Sequence, residues 1–179
     1  MLADESTTYE GTHMNIGHIA ALAAATLRRT LLGSTIAHAT SDDGAAEGFV
    51  RIMNDNVQWV ADADGSGMQR AVIAGDPSQP GLYVIRVKFP AGTMSRNHWH
   101  REDRHATVIS GTWWTGTGDD FEPDKTIGLK PGSYMKHPGG AHHFDGAKDE
   151  DAVVQIVGIG PSETTRLHPE LGNYGPSTK

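Results

Sequence analysis

The chain has 179 residues, of which 37% are hydrophobic, and its formal net charge is −7 at pH 7. This length predicts one domain, and the acidic balance argues against nucleic-acid binding, which needs a basic face. The chain contains no cysteine, which excludes disulfides, thiolate metal sites and a cysteine nucleophile. Its 22 glycines and 9 prolines predict frequent turns and few long helices, which favours an all-β fold.

Residues 1–48 form a predicted N-terminal extension, either poorly structured or helical. Its segment 14–39 is rich in alanine, has no acidic residue and ends in Ala37-His38-Ala39, which is similar to a signal-peptidase site. Arg28 and Arg29 interrupt the apolar run, so we expect no membrane span. Two locations stay open: periplasmic or secreted if this segment is a signal peptide, and cytoplasmic if it is not. Residues 40–48 are rich in glycine, alanine and acidic residues, which indicates a linker.

Short apolar runs alternate with turn signals between residues 49 and 165, which is the predicted folded domain. In residues 82–89, for example, Tyr83, Ile85 and Val87 alternate with Val84 and Arg86, as expected for a strand with one wetter face. Many short strands with glycine and proline corners indicate a β-sandwich or barrel. The other candidate strands are 69–74, 97–100, 105–110, 112–115, 126–129, 134–137, 142–144 and 152–159. Residues 166–179 are assigned to a C-terminal tail.

Histidines are concentrated in one part of the chain, since six of the ten lie between residues 98 and 143. Alternate residues of a strand point to the same face, so His98 and His100 would present their imidazoles together. Two such imidazoles can converge on one metal ion. A polar strand face is the alternative for this pair taken alone.

Glycines, histidines and a proline recur around these residues in two patterns. The first consists of Gly92, His98, His100, His105 and Gly111, and the second of Gly132, Pro138, Gly140 and His143. Their order, and the 20 residues between them, resemble the two sequence motifs of the cupin superfamily. The resemblance covers about residues 57–160 and implies a double-stranded β-helix barrel, similar to a jelly roll.

The resemblance also implies one divalent transition metal per chain, held by His98, His100 and His143. His105 stands where most metal-binding cupins carry glutamate, so the resemblance implies either a fourth ligand at His105 or three histidine ligands with a looser fourth group. A neutral imidazole in place of a carboxylate leaves the ion its full double charge and makes it a stronger Lewis acid. Fe(II) is favoured, although imidazoles also suit Mn, Zn, Ni and Cu. A shift of one residue in register would exchange His143 for His142.

Two further residues are candidates for a role beside the metal. His137 either lines the pocket as an acid–base group or is a core histidine, and Arg96 either neutralises a substrate carboxylate or is simply exposed. Glu102 and Asp103 either accept a hydrogen bond from an imidazole N–H or belong to a solvated turn.

The predicted function is that of a metal-binding cupin enzyme, a non-haem metal-dependent dioxygenase acting on a small chelating organic substrate. One alternative is a Lewis-acid isomerase or lyase. Another is a non-catalytic cupin that binds or senses a metal or a small ligand. The resemblance further implies a homodimer.

Overall fold

The computed structural model of the protein describes residues 48–178. Apart from Gly48, the predicted N-terminal extension, with its signal-like segment 14–39 and linker 40–48, lies outside these residues. Within residues 48–178, regular structure consists of β-strands and short 3-10 helices. No helix in this part of the chain is long and apolar enough to cross a membrane. The predicted all-β fold class is therefore confirmed for the described residues.

The strands are numbered in chain order. They are β1 (Val60–Ala61), β2 (Gln69–Ala74), β3 (Gly81–Phe89), β4 (Thr93–Ser95), β5 (His98–Trp99), β6 (Arg104–Ser110), β7 (Trp113–Thr117), β8 (Ile127–Leu129), β9 (Tyr134–His137), β10 (His143–Gly146), β11 (Ala152–Gly160), β12 (Thr165–Arg166) and β13 (Tyr174–Pro176). The 3-10 helices are Asn54–Asn56, Pro123–Lys125 and Pro169–Leu171.

These strands form two antiparallel sheets. The first has six strands in the order β1-β2-β3-β11-β6-β9. The second has seven strands, with the order β12-β5-β10-β4-β13 and with β7 paired to both β10 and β8. The segment 166–178, assigned to a tail by sequence, contributes β13, which pairs with β4.

The long strands β3 and β11 form the centre of the six-stranded sheet. Tyr83, Ile85, Val87 and Phe89 are buried on β3, and the residues between them are only half-buried, as the alternation in the sequence predicts. On the next strand, Val154 and Ile156 are paired with Val87 and Ile85 and are also buried. Burial of these apolar side chains between the sheets is the main source of stability.

One row of paired residues crosses four strands of this sheet and positions the site. Tyr83 pairs with Gly158, Gly158 with Arg104, and Arg104 with His137. A Cβ atom at Gly158 would lie 2.5 Å from the Tyr83 hydroxyl oxygen, so glycine is needed where the tyrosine ring crosses β11. The hydroxyl thereby reaches Arg104, whose Nε donates to it over 3.0 Å.

Candidate metal centre

Three histidines from two neighbouring strands of the seven-stranded sheet come together in the interior. His98 begins β5, His100 directly follows that strand, and His143 begins β10 opposite His98. One ring nitrogen from each lies within 4.8 Å of those of the other two, and all three residues are buried. The ring centroid of His98 is 4.9 Å from that of His100 and 4.4 Å from that of His143.

Backbone carbonyls determine the tautomer of each ring. The Nδ1 atom of His98 lies 2.7 Å from the Arg96 carbonyl oxygen, and that of His143 lies 2.9 Å from the Ala141 carbonyl oxygen. The Nδ1 atom of His100 lies 2.9 Å from the carbonyl oxygen of Glu163. Because a carbonyl oxygen only accepts, each Nδ1 carries the proton and each Nε2 keeps its lone pair.

These lone pairs are the donors that a metal needs. The Nε2 atom of His143 is buried and has no hydrogen-bond partner, which is costly unless a cation occupies the space in front of it. The three histidines can therefore hold a metal ion.

Burial keeps these imidazoles neutral. It lowers the pKa of His98 to about 4, with a further contribution from His143. It lowers the pKa of His100 to about 2, to which the neighbouring Arg104 charge also contributes. The pKa of His143 is lowered by burial as well. Neutral imidazole is the form that binds a metal ion.

His105, the expected fourth ligand, is not brought to this group. It lies on the outer face of β6, where its side chain is exposed and its Nδ1 is 2.7 Å from the Tyr134 hydroxyl oxygen. Arg104 takes the inward position and is only 9% exposed. Ala106 and Val108 are buried on the same face as Arg104, because alternate residues of a strand share a face. That apolar alternation is the sequence signal that identifies Arg104, and the prediction overlooked it.

Arg104 contacts the histidine group directly. Its Nη1 lies 2.7 Å from Nε2 of His100. The same Nη1 lies 3.4 Å from Nδ1 of His100, so the guanidinium lies against the side of the ring and leaves the direction of the Nε2 lone pair open.

His137 lies beside the group as a neutral, unpaired imidazole. Its ring stacks on that of His143 with centroids 3.8 Å apart. Its Nε2 is buried without a hydrogen-bond partner, and burial lowers its pKa to about 3, with His143 contributing. This placement agrees with the interpretation of His137 as a pocket residue.

The other candidates lie away from the ligating nitrogens. The Nε of Arg96 donates to the Tyr174 carbonyl oxygen over 3.2 Å, and its guanidinium carbon lies 5.1 Å from the centre of the Phe121 ring. Arg96 does not line the cavity at the histidines. His142 is half-buried, and its Nδ1 lies 2.6 Å from an Asp119 carboxylate oxygen. Of the two neighbouring histidines, His143 is therefore the one that faces the interior.

The acidic residues between the first histidine pair and β6 belong to a turn. Asp103 forms an ion pair with Lys136 over 2.6 Å and accepts a hydrogen bond from the backbone N–H of Gly139 over 2.9 Å. Glu102 has one buried carboxylate oxygen with no hydrogen-bond partner. Neither carboxylate accepts a hydrogen bond from the three imidazoles, whose Nδ1 atoms bond to backbone carbonyls instead.

A small cavity of about 40 Å³ adjoins the histidines and has room for about three water molecules. Both sheets line it. Its apolar wall consists of Met68, Ile85, Val87, Phe89 and Ile156, and its charged groups are Arg70, Arg104, Arg166 and Asp145.

Comparison with known proteins identifies the fold. No family model and no curated protein matches the sequence. Among solved structures, a cupin-2 domain protein of Rhodospirillum rubrum aligns with a TM-score of 0.53 at 13% identity, over 67% of this chain and 81% of that one. The polyketide cyclase RemF from Streptomyces resistomycificus aligns with a TM-score of 0.56 at 13% identity, over 66% of this chain and 85% of that one. The DMSP lyase DddQ from Ruegeria pomeroyi DSS-3 aligns with a TM-score of 0.52 at 19% identity, over 65% and 64% respectively.

The protein therefore has the cupin fold, as the two sequence motifs imply. At these levels of identity the similarity establishes the fold, and the function must be argued from the site.

Proposed function

We propose that the protein is a metal-dependent enzyme that holds one divalent transition metal on His98, His100 and His143 and acts on a small chelating organic substrate. The observation that carries this proposal is the shared orientation of the three rings. Each Nδ1 is bonded to a backbone carbonyl, so the three Nε2 lone pairs are available together in one interior cavity.

The number of ligands favours catalysis over a structural role. Structural metal sites are usually closed by four protein ligands, whereas catalytic sites use three and leave a position for substrate. All three ligands are neutral here, so a bound ion would act as a Lewis acid with its full double charge and, if it were iron, could also supply redox chemistry. His105 is exposed on the other face of β6, so the proposed ligand set has three members.

Two reaction classes fit this centre. The first is the dioxygenase chemistry with Fe(II) that the sequence predicts. The second is non-redox proton transfer on a substrate polarised by the metal, and His137 favours it. This residue is a neutral imidazole with an unpaired Nε2, stacked on the ligand His143. Because its pKa is lowered to about 3, it can accept a proton only from a substrate that a bound metal would make strongly acidic.

The first experiment tests the metal centre. We expect protein purified without added metal, and then reconstituted, to bind close to one equivalent of a first-row divalent metal. Changing His143 to alanine should weaken binding by roughly 100-fold or more, since even the loss of an outer partner of a ligand costs 10- to 100-fold. His105→Ala is the matched control, and we expect it to bind metal like the wild type. Equal losses in both variants would show that His105 is a ligand, and no binding by the wild type would refute the centre.

The second experiment separates the reaction classes. Oxygen uptake by the Fe(II) protein with 1,3-dicarbonyls or hydroxyaryl ketones, abolished in His143→Ala, would support a dioxygenase. Turnover that continues without oxygen and with Zn²⁺, and that is lost in His137→Phe while metal content stays unchanged, would support the proton-transfer enzyme. Tight binding of these compounds with no turnover under either condition would instead indicate a binding or sensing protein.

The homodimer implied by the sequence resemblance stays a prediction. Sedimentation equilibrium of the full chain would test it directly.

A further inference from the structure

Arg104 carries a charge that the described part of the protein leaves uncompensated. It is only 9% exposed, and no carboxylate of residues 48–178 forms an ion pair with it. Its hydrogen bonds run to two neutral groups, the Tyr83 hydroxyl and the His100 ring. A buried charge without an opposite charge is strongly unfavourable.

Arg104 also lies beside the atom that would bind a metal. Its Nη1 is 2.7 Å from Nε2 of His100 and 3.4 Å from Nδ1 of the same ring. A metal ion on Nε2 would therefore place a second positive charge next to the guanidinium. That repulsion is relieved if an anion enters between the metal and the guanidinium.

The rest of the cavity favours the same kind of ligand. Arg70 and Arg166 line it together with Arg104, and the lining contains one carboxylate, that of Asp145. That carboxylate already accepts a hydrogen bond from the Ser95 hydroxyl. Since Arg70 is paired with Asp62 over 3.4 Å, the excess positive charge at the cavity comes from Arg104 and Arg166. The planar fork of a guanidinium matches the two oxygens of a carboxylate, and the volume of about 40 Å³ suits a small one.

We infer that Arg104 recognises a carboxylate of the substrate, and that binding of this carboxylate and of the metal are coupled through His100. The inference rests on the proposed metal centre and adds the substrate class to it. A metal ion on His100 places a second positive charge beside Arg104, and a carboxylate between the two is attracted by both charges. By thermodynamic reciprocity, the carboxylate must raise metal affinity by the same factor as the metal raises carboxylate affinity.

Calorimetric titration of the wild-type protein with Co²⁺, in chloride buffer and in acetate buffer of equal ionic strength, tests the coupling without any variant. We expect acetate to tighten Co²⁺ binding by about tenfold, within the usual range of coupling between sites. The visible absorption of bound Co²⁺ should change as acetate is added.

Variants then assign the effect to Arg104. In Arg104→Met, Co²⁺ should bind more tightly in chloride than it does to the wild type, because the neighbouring positive charge is removed. The acetate effect should fall below about twofold in this variant, and Arg104→Lys should keep part of it. The matched control is Arg86→Met, because Arg86 lies on the face of β3 that points away from the cavity and bonds to Gln155. It should keep the full effect.

The outcomes separate this inference from the proposed function. Co²⁺ binding that acetate leaves unchanged in the wild type would overturn the inference and leave the metal centre intact. An acetate effect of equal size in the wild type and Arg104→Met would do the same. A wild-type protein that binds no Co²⁺ would overturn both. If Arg104→Met does not fold, the wild-type coupling and Arg104→Lys decide the question.

Discussion

The inner faces of the two sheets are both buried, yet they differ in chemistry. The six-stranded sheet contributes mostly apolar side chains, which are Ile85, Val87, Phe89, Val108, Val154 and Ile156. The seven-stranded sheet contributes polar ones around the cavity, which are Ser95, His98, His143 and Asp145. Apolar burial contributes about 1.5–3 kcal/mol per large side chain, whereas a buried polar group costs free energy unless it is bonded. The first face therefore stabilises the fold, and the second holds the site.

Three side chains of the six-stranded sheet depart from this division. Tyr83, Arg104 and His137 belong to the row that crosses Gly158, and all three have polar atoms directed inward. They are the places where the apolar sheet reaches the histidines of the other sheet. The contrast between the sheets can be tested at the buried histidines, on the apolar inner face, at Gly158 and outside both inner faces.

The largest effect is expected from acid acting on the metal-free protein. The pKa values of His98 and His137 in the folded state are about 4 and about 3, and that of His143 is also lowered. In the unfolded chain these groups take up protons near pH 6.5, so stability is intact above that pH and falls as the pH drops toward 4. These differences in pKa between the unfolded and folded states correspond to about 3 kcal/mol for His98 and about 5 kcal/mol for His137, and together they approach the total stability of a typical domain.

We therefore expect the metal-free protein to unfold between pH 6.5 and about 4. Circular dichroism measured as a function of pH would detect this unfolding. Replacement of His137 by phenylalanine should move the midpoint to lower pH. A midpoint that stays the same in this variant would contradict the assignment of the pH effect to the buried imidazoles.

Removal of a large side chain from the apolar face should have the next largest effect. Phe89 is 3% exposed, and Phe89→Ala should lower the free energy of unfolding by about 3–5 kcal/mol through lost burial and a cavity. Urea denaturation measures this directly. Leu82 is on the same strand but 58% exposed, so Leu82→Ala serves as the control and should change the stability by less than about 1 kcal/mol. Similar losses in both variants would contradict the assignment of the inner face.

A smaller effect is expected where the two kinds of surface meet. In Gly158→Ala the new Cβ would lie 2.5 Å from the Tyr83 hydroxyl oxygen, so the ring must move from its hydrogen bond with Arg104. Overpacking of this kind costs about 1–3 kcal/mol, measured by thermal or urea unfolding. Val157→Ala changes a half-buried side chain next to it without a clash, and we expect a smaller loss there. A fully stable Gly158→Ala protein would show that the Tyr83 ring does not need the space that glycine leaves at this position.

The smallest effect is expected outside both inner faces. Asp103 pairs with Lys136 in an exposed position, where solvent screens the charges. Asp103→Ala should lower the melting temperature by no more than about 2 °C, and Asp149→Ala, another exposed change, provides the baseline. A large loss for Asp103 would mean that its bond to the Gly139 N–H, and with it the turn before β10, matters more than its ion pair.

Local patterns in the chain were enough to predict much of this arrangement. The alternation in residues 82–89 predicted one of the two central strands, the apolar run 152–159 was a candidate for the other, and the spacing of glycine, proline and histidine predicted the cupin fold. His98 and His143 face the cavity because each occupies an inward position of a short strand. These features depend on the periodicity of strands and on turn residues, both of which are local properties.

The spacing of residues alone did not predict which side chains of β6 face the interior. Counting residues from His100 favoured His105, whereas the strand places Arg104 inward and His105 outward. A shift of one residue moves every side chain of a strand to the other face, so a spacing that is uncertain by one residue cannot distinguish the two.

Long-range pairing accounts for the rest of the site. The Nδ1 of His100 bonds to the carbonyl oxygen of Glu163, 63 residues away, and Tyr83 reaches Arg104 across Gly158 of a third strand. The local sequence around His100 and Arg104 contains neither of these partners. The histidines could thus be recognised from the chain, but their tautomers and the buried, uncompensated arginine depend on which strands lie side by side. The pairing of the strands depends on burial of the inner faces of both sheets together, because no single strand buries its inner face alone.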